Sequence, residues 1–178
     1  MGKLVPSASS SKPCILIVDD DRLAREMLFY ALDGMGYQVL SASRAEDALR
    51  IIREERIDVV IADQYLPGLS GLALLTALRD HMAEPRRILI TGRPDQALAL
   101  SAINEAEVFR FLEKPCAGVT LRLAVCLALD SLQRERQDRE ALEAIRANPI
   151  LNSFLDTTLG EEAAKKNRTT ARPDERTP

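Results

Sequence analysis

Five short aliphatic runs recur along the chain: CILIV (14–18), QVLSA (38–42), DVVIA (58–62), RILIT (87–91) and VFRFL (108–112). Runs of this length, rich in Val, Ile and Leu, predict strands buried on both faces. Between them the apolar residues fall at helical spacing, in RLAREMLFYALDGMG, RAEDALRIIREER, SGLALLTALRDHM and PDQALALSAINEA. In the first of these, Leu23, Met27, Tyr30 and Ala31 follow an i, i+4, i+7, i+8 stripe and predict its buried face. Gly34 and Gly36 supply its stop, and Ser70 or Gly68 caps the third helix. Strands alternating with helices predict an α/β fold, with a parallel sheet covered on both sides.

A fifth helix is predicted from near Cys116 to Asn148–Pro149, where proline breaks it. From Leu121 to Leu132 its apolar spacing fits packing on a sheet. From Gln133 to Glu140 it has no apolar residue. That stretch offers i,i+4 pairs Arg134–Asp138, Glu135–Arg139 and Arg136–Glu140, each worth about 0.2–0.5 kcal/mol. Two readings follow: a solvated spacer, or a homodimer helix with a seam through Val125, Ala128, Leu132, Leu142 and Ile145. Residues 1–12 read as a flexible arm and 13–130 as the domain. Residues 131–147 extend the fifth helix, and 148–178 hold a short apolar stripe (Ile150, Leu151, Phe154, Leu155, Leu159) and a polar tail.

Composition narrows the class. Hydrophobic residues make up 46% of the 178 and charged residues 29%, with a net charge of -3. That supports a packed core and gives no general attraction to nucleic acid or an anionic membrane. There is no apolar run of membrane-spanning length and no signal-peptide core, so the cytoplasm is the expected compartment. Cys14, Cys116 and Cys126 are odd in number and far apart, which points to free thiols rather than a disulfide framework or zinc site. Cys116 stands near a helix start beside a lysine, a setting that can lower a thiol pKa. The single histidine, His81, ends a helix and is expected to be solvated.

The chemistry lies where the predicted strands end. The first ends in Asp19, Asp20 and Asp21, the third in Asp63, the fourth in Thr91 and Gly92, and the fifth in Glu113, Lys114 and Pro115. Ligands of open parallel sheets bind beyond these carboxyl ends. Carboxylates clustered without His or Cys suit a hard divalent cation, Mg²⁺ above all. Lysine and threonine beside it suit a phosphoryl group. Asp21 fits better as the N-cap of the first helix than as a ligand.

With VDD, DQYLPGLSG, TG and KP in this order at successive strand ends, residues 13–130 resemble the receiver domains of two-component response regulators. The resemblance implies a flavodoxin-like (βα)5 fold with strand order 2-1-3-4-5. It implies that Asp63 is the phosphoacceptor, and that Asp19, Asp20, Asp63 and the Tyr65 backbone carbonyl hold Mg²⁺. Thr91, Gly92 and Lys114 would surround the phosphoryl group, and Thr91 with Phe111 would form the switch. Tyr65 and Arg93 would tune dephosphorylation, and Lys114–Pro115 would be cis. The implied partners are a sensor histidine kinase or phosphotransfer protein and a downstream protein target. Such a chain is a signalling switch rather than an enzyme in the ordinary sense.

About 30 residues follow Ala147 and they are not basic, so a DNA-binding output domain is not expected. INEAEVFRFLEKP is similar to receivers joined to HD-GYP phosphodiesterases and hydrogenase regulators. Two other readings compete. A haloacid-dehalogenase-like phosphatase would use Asp19 and Asp21, but no Asp or Glu lies between Lys114 and Leu129 to complete its metal site, and Asp63 would have no role. A degenerate receiver serving as a constitutive docking module would not need the full set of acids, threonine and lysine.

Overall fold

The computed structural model describes residues 12–82 and 84–148. Ten elements alternate: β1 (Cys14–Val18), α1 (Arg22–Leu32), β2 (Gln38–Ala42), α2 (Ala45–Glu54), β3 (Val59–Asp63), α3 (Gly71–His81), β4 (Arg86–Thr91), α4 (Gln96–Asn104), β5 (Arg110–Glu113) and α5 (Gly118–Ala147). The five strands are parallel, in the order β2-β1-β3-β4-β5. This is the flavodoxin-like arrangement expected above.

β1 and β3 are buried at every residue, because helices cover both faces of the sheet. Side chains alternate between two cores. Leu16, Val18, Val60, Ala62 and Leu89 meet α2, α3 and α4; Ile15, Ile17, Val59, Ile61, Ile88 and Ile90 meet α1 and α5.

The predicted stripe on α1 lies on the wrong face. Leu23, Met27 and Tyr30 are 68%, 68% and 71% exposed, whereas Leu28 and Leu32 are buried. The helix is apolar on two sides, and only packing against β1 and α5 decides which of them is core. Gly34 and Gly36 have φ of 75° and 79°, the left-handed backbone that ends α1 and turns into β2. Ser70 caps α3, its Oγ accepting the Ala73 N–H at 3.2 Å.

Two compact units are present, one up to Gln133 and one from Arg134. In the first, Leu121, Ala124, Val125, Ala128 and Leu132 of α5 are buried in the domain core. The dimer seam read from Val125, Ala128 and Leu132 is therefore corrected: those side chains are already used. In the second, Arg139 pairs with Glu135 at 3.3 Å, one of the expected i,i+4 contacts. Residues 1–11 of the N-terminal arm, and the apolar stripe and tail beyond 148, lie outside the described residues.

Candidate functional site

Strand register brings the candidate residues together. Val18 pairs with Ala62, so Asp19 and Asp63 follow side by side. Asp63 pairs with Ile90, and Thr91 with Glu113, which sets Thr91 and Lys114 on the same edge. Asp19, Asp20 and Asp63 each offer a carboxylate oxygen within 4.8 Å of the others. Asp19 and Asp63 are buried and Asp20 is exposed, so the cluster is open on one side.

Three like charges this close repel, and the lysine offsets two of them. Lys114 Nζ donates to Asp19 Oδ2 at 2.6 Å and lies 2.8 Å from Asp63 Oδ1. Burial alone would lower the ammonium's pKa; the hydrogen bonds to Asp19 and Asp63 outweigh it and hold the lysine above its ordinary value. Burial raises the Asp19 carboxyl, offset in part by Lys114 and the Asp21 N–H. The lysine is held from its backbone too: its N–H donates to the Thr91 carbonyl at 2.8 Å, and the Lys114–Pro115 bond is cis, as the resemblance implied.

Asp63 Oδ2 accepts the Tyr65 N–H at 2.8 Å, which fixes the carboxylate against its own loop. Thr91 is fully buried, and its Oγ1 accepts the Arg93 N–H at 3.2 Å. Gly92 is exposed beside it. The Arg93 guanidinium sits 5.9 Å from the centre of the half-exposed Tyr65 ring, within cation–π range. Phe111 pairs with Leu89 and packs, partly buried, against the core that contains Ala102 of α4. It shares the α4-facing side of the sheet with Thr91. Asp21 is the N-cap of α1, its Oδ1 accepting the Leu23 and Ala24 N–H groups.

The acidic cluster, Lys114 and Thr91 thus meet at one edge of the sheet, and the family comparison agrees. The model of the response regulator receiver domain matches residues 15–126. This chain belongs to the response regulator receiver domain family. It is 31% identical over 107 residues to the hydrogenase transcriptional regulatory protein HoxA of Cupriavidus necator, covering 60% of this chain and 22% of that protein. To the transcriptional regulatory protein AfsQ1 of Streptomyces coelicolor it is 30% identical over 126 residues, covering 71% and 55%. The receiver therefore spans between about a fifth and about half the length of these relatives. Among solved structures it is similar to the signal receiver domain of an HD domain-containing protein from Pseudomonas fluorescens Pf-5. That match has a TM-score of 0.68 and 34% identity, and covers 70% of this chain and 99% of the other.

Some residues around the acidic cluster carry no sequence signal. Arg25 donates to the Asp19 carbonyl at 2.5 Å, tying the first turn of α1 to the end of β1. Gln64 accepts the Gly71 N–H on its carbonyl and the Leu72 N–H on Oε1, both at 3.1 Å, which draws the start of α3 onto the end of β3. Gly71 leaves no room for a side chain: a Cβ there would stand 2.0 Å from the Asp63 carbonyl oxygen. Only the glycine in LSG could have given this away. Cys116 gains no activation from its position, because burial pushes its thiol up. Among the described residues no helix is long and apolar enough to cross a membrane.

Proposed function

We propose that this receiver accepts a phosphoryl group on Asp63 and passes the change to a protein partner. The observation that carries this reading is the Asp63 carboxylate itself. It is buried and oriented by the Tyr65 amide, with the Lys114 ammonium 2.8 Å away. That is a nucleophile placed beside a cation able to neutralise an incoming phosphoryl oxygen. The donor set of Asp19, Asp20 and Asp63, all oxygen and free of nitrogen and sulfur, fits Mg²⁺, and the Tyr65 backbone carbonyl would be a fourth ligand. Bound there, the ion supplies further charge neutralisation to the phosphoryl group.

In the transfer, a phosphorus–nitrogen bond of a donor phosphohistidine breaks as an Asp63 oxygen–phosphorus bond forms, and the imidazole leaves. Exposed Gly92 leaves the approach open. A groove of about 690 Å³ between α1 and the β5–α5 turn opens beside Lys114, lined by Ala24, Met27, Tyr30, Pro115 and Leu121. The exposed Met27 and Tyr30 give it an apolar rim that suits a sensor kinase or phosphotransfer helix. The kinase partner places the chain in the cytoplasm. Afterwards Thr91 turns to the phosphoryl oxygen, Phe111 follows on the same side of the sheet, and the face of α4, β5 and α5 changes for a downstream protein.

The test is intact mass after incubation with Mg²⁺ and acetyl phosphate. One added phosphoryl group, abolished by EDTA, is expected; no addition in either condition sinks the proposal.

Tyr65 and Arg93 together shield the acceptor from water, and the phosphorylated form is expected to be long-lived. Tyr65→Asn removes the ring and its contact with Arg93, and should speed decay of the adduct about five- to tenfold. Decay followed by mass that quickens less than about twofold would refute the shielding role.

A further inference from the structure

α4 is held unequally at its two ends. It is nine residues long with one buried side chain, Ala102, and Leu100 and Ile103 are 58% and 57% exposed. Its apolar hold on the core is limited to Ala102 and the partly buried Leu98. Its N-terminal end follows Thr91 by the short link Gly92–Asp95, and is capped by the exposed Asp95 side chain on the Leu98 N–H at 2.7 Å. Its C-terminal end is handled differently. The last carbonyls of a helix lack partners within it and carry the negative end of its dipole. Here two arginines from other elements take the carbonyls that follow α4. Arg79 of α3 donates to the Glu105 carbonyl. Arg87 of β4, only 5% exposed, donates from Nε to the Ala106 carbonyl at 2.8 Å, and its Nη2 reaches the Glu107 carbonyl at 3.5 Å. The same guanidinium holds the Pro85 carbonyl through Nη1 at 3.1 Å and faces the Glu107 carboxylate at 3.7 Å.

The backbone around this point is equally committed. The Val108 N–H returns to the Ala102 carbonyl at 3.1 Å across Glu107, which has φ 46°. The Phe109 N–H donates to the Arg87 carbonyl at 2.7 Å. Arg87 thus grips the α4–β5 turn with both its backbone and its side chain. A buried guanidinium costs too much to leave without its carbonyls, so the turn and the arginine stay together.

We infer that Arg79 and Arg87 form a clamp that fixes the C-terminal end of α4, so that the helix moves by its N-terminal end, nearest Thr91. The clamp stands on contacts alone; only the trigger for the movement rests on the proposed phosphorylation. A signal at Thr91 then swings α4 about its C-terminal end instead of loosening the whole α4–β5 turn. Arg79 and Arg87 are positioning residues in this device and touch no phosphoryl group.

Hydrogen–deuterium exchange on the full chain tests it. In the unmodified protein, amides of Gln96–Leu98 should exchange faster than those of Glu105–Phe109. Arg87→Met should speed exchange at Glu105–Phe109 by about tenfold while leaving β1 unchanged. Arg79→Met, at a more exposed site, gives the same change in smaller measure and covers the case in which the first variant does not fold. After acetyl phosphate with Mg²⁺, exchange should change at Gln96–Leu98 and not at Glu105–Phe109. The inference is overturned if the two ends exchange alike, if the arginine variants leave Glu105–Phe109 as in the wild type, or if phosphorylation alters both ends equally. A wild type that gains no phosphoryl group removes the trigger, and the clamp is then decided by the unmodified protein and its variants.

Discussion

Asp63→Asn should gain no phosphoryl group under conditions in which the wild type gains one. The amide lacks the anionic oxygen that attacks phosphorus, and no other carboxylate of the cluster is oriented as Asp63 is. Its Oδ2 is fixed by the Tyr65 N–H and its Oδ1 lies 2.8 Å from Lys114. Asp19, held by Lys114 and the Asp21 N–H, is in the proposed mechanism a metal ligand, and Asp20 is exposed. The variant should still fold. An asparagine carbonyl oxygen can accept from Tyr65 or Lys114, and losing one of three clustered charges relieves repulsion. Its Tm without metal should therefore equal or exceed the wild-type value. The Tm increase produced by Mg²⁺ should shrink, since a ligand that binds only the folded state stabilises it according to its affinity. Intact mass and thermal melting of both proteins, with and without Mg²⁺, check all three statements. A phosphoryl group on the variant would move the acceptor to Asp19 or Asp20 and remove the basis for the proposed mechanism.

What could be read from the sequence follows from which forces act locally. β1 and β3 are buried on both faces, so their composition alone marks them. Their acidic ends stand out because carboxylates are rare directly after such runs. The run VFRFL predicts β5 two residues early, because Val108 and Phe109 have strand-like side chains. In the structure their N–H groups go to Ala102 and Arg87 instead, and the strand begins at Arg110. The turn just before it is gripped by the buried Arg87 side chain on the neighbouring strand, which no local pattern reveals. α1 failed for a related reason. Its two apolar faces have the same period, and the choice between Leu23–Met27–Tyr30 and Leu28–Leu32 is made by the sheet and α5. The exposed face is the one the proposed kinase contact would use.

The site shows the same division. Types of residue at strand ends indicated oxygen ligands, a lysine and a threonine. They did not indicate that Lys114 would bridge Asp19 and Asp63, since that depends on where β5 ends relative to β1, with two strands between them in the sheet. Nor did they indicate Arg25, whose role is a contact with a backbone carbonyl. Contacts to backbone leave no complementary residue in the sequence, and Arg25, Arg79 and Arg87 all act in that way.

Gly71→Ala should be the most damaging single-methyl change in the site. Gly71 is the first residue of α3, where alanine would ordinarily favour a helix. Here the added Cβ would lie 2.0 Å from the Asp63 carbonyl oxygen and 2.8 Å from its carbonyl carbon. Both atoms are backbone, so no rotamer relieves the clash. Either the start of α3 must withdraw or the end of β3 must move. The first breaks the bonds from Gly71 and Leu72 to Gln64, and the second displaces the acceptor and the Gln64 N–H bond to Ile90, 2.9 Å long. Overpacking of this kind costs about 3 kcal/mol. For a domain of this size that corresponds to a Tm about 10 °C or more below the wild type. Phosphoryl uptake should fall with it even well below the melting range, because the Asp63 carboxylate and Lys114 no longer hold their spacing. Asp63→Asn loses uptake and keeps its stability, whereas Gly71→Ala should lose both. If Gly71→Ala kept the wild-type Tm, the close approach of α3 to the end of β3 would not be what positions the acceptor.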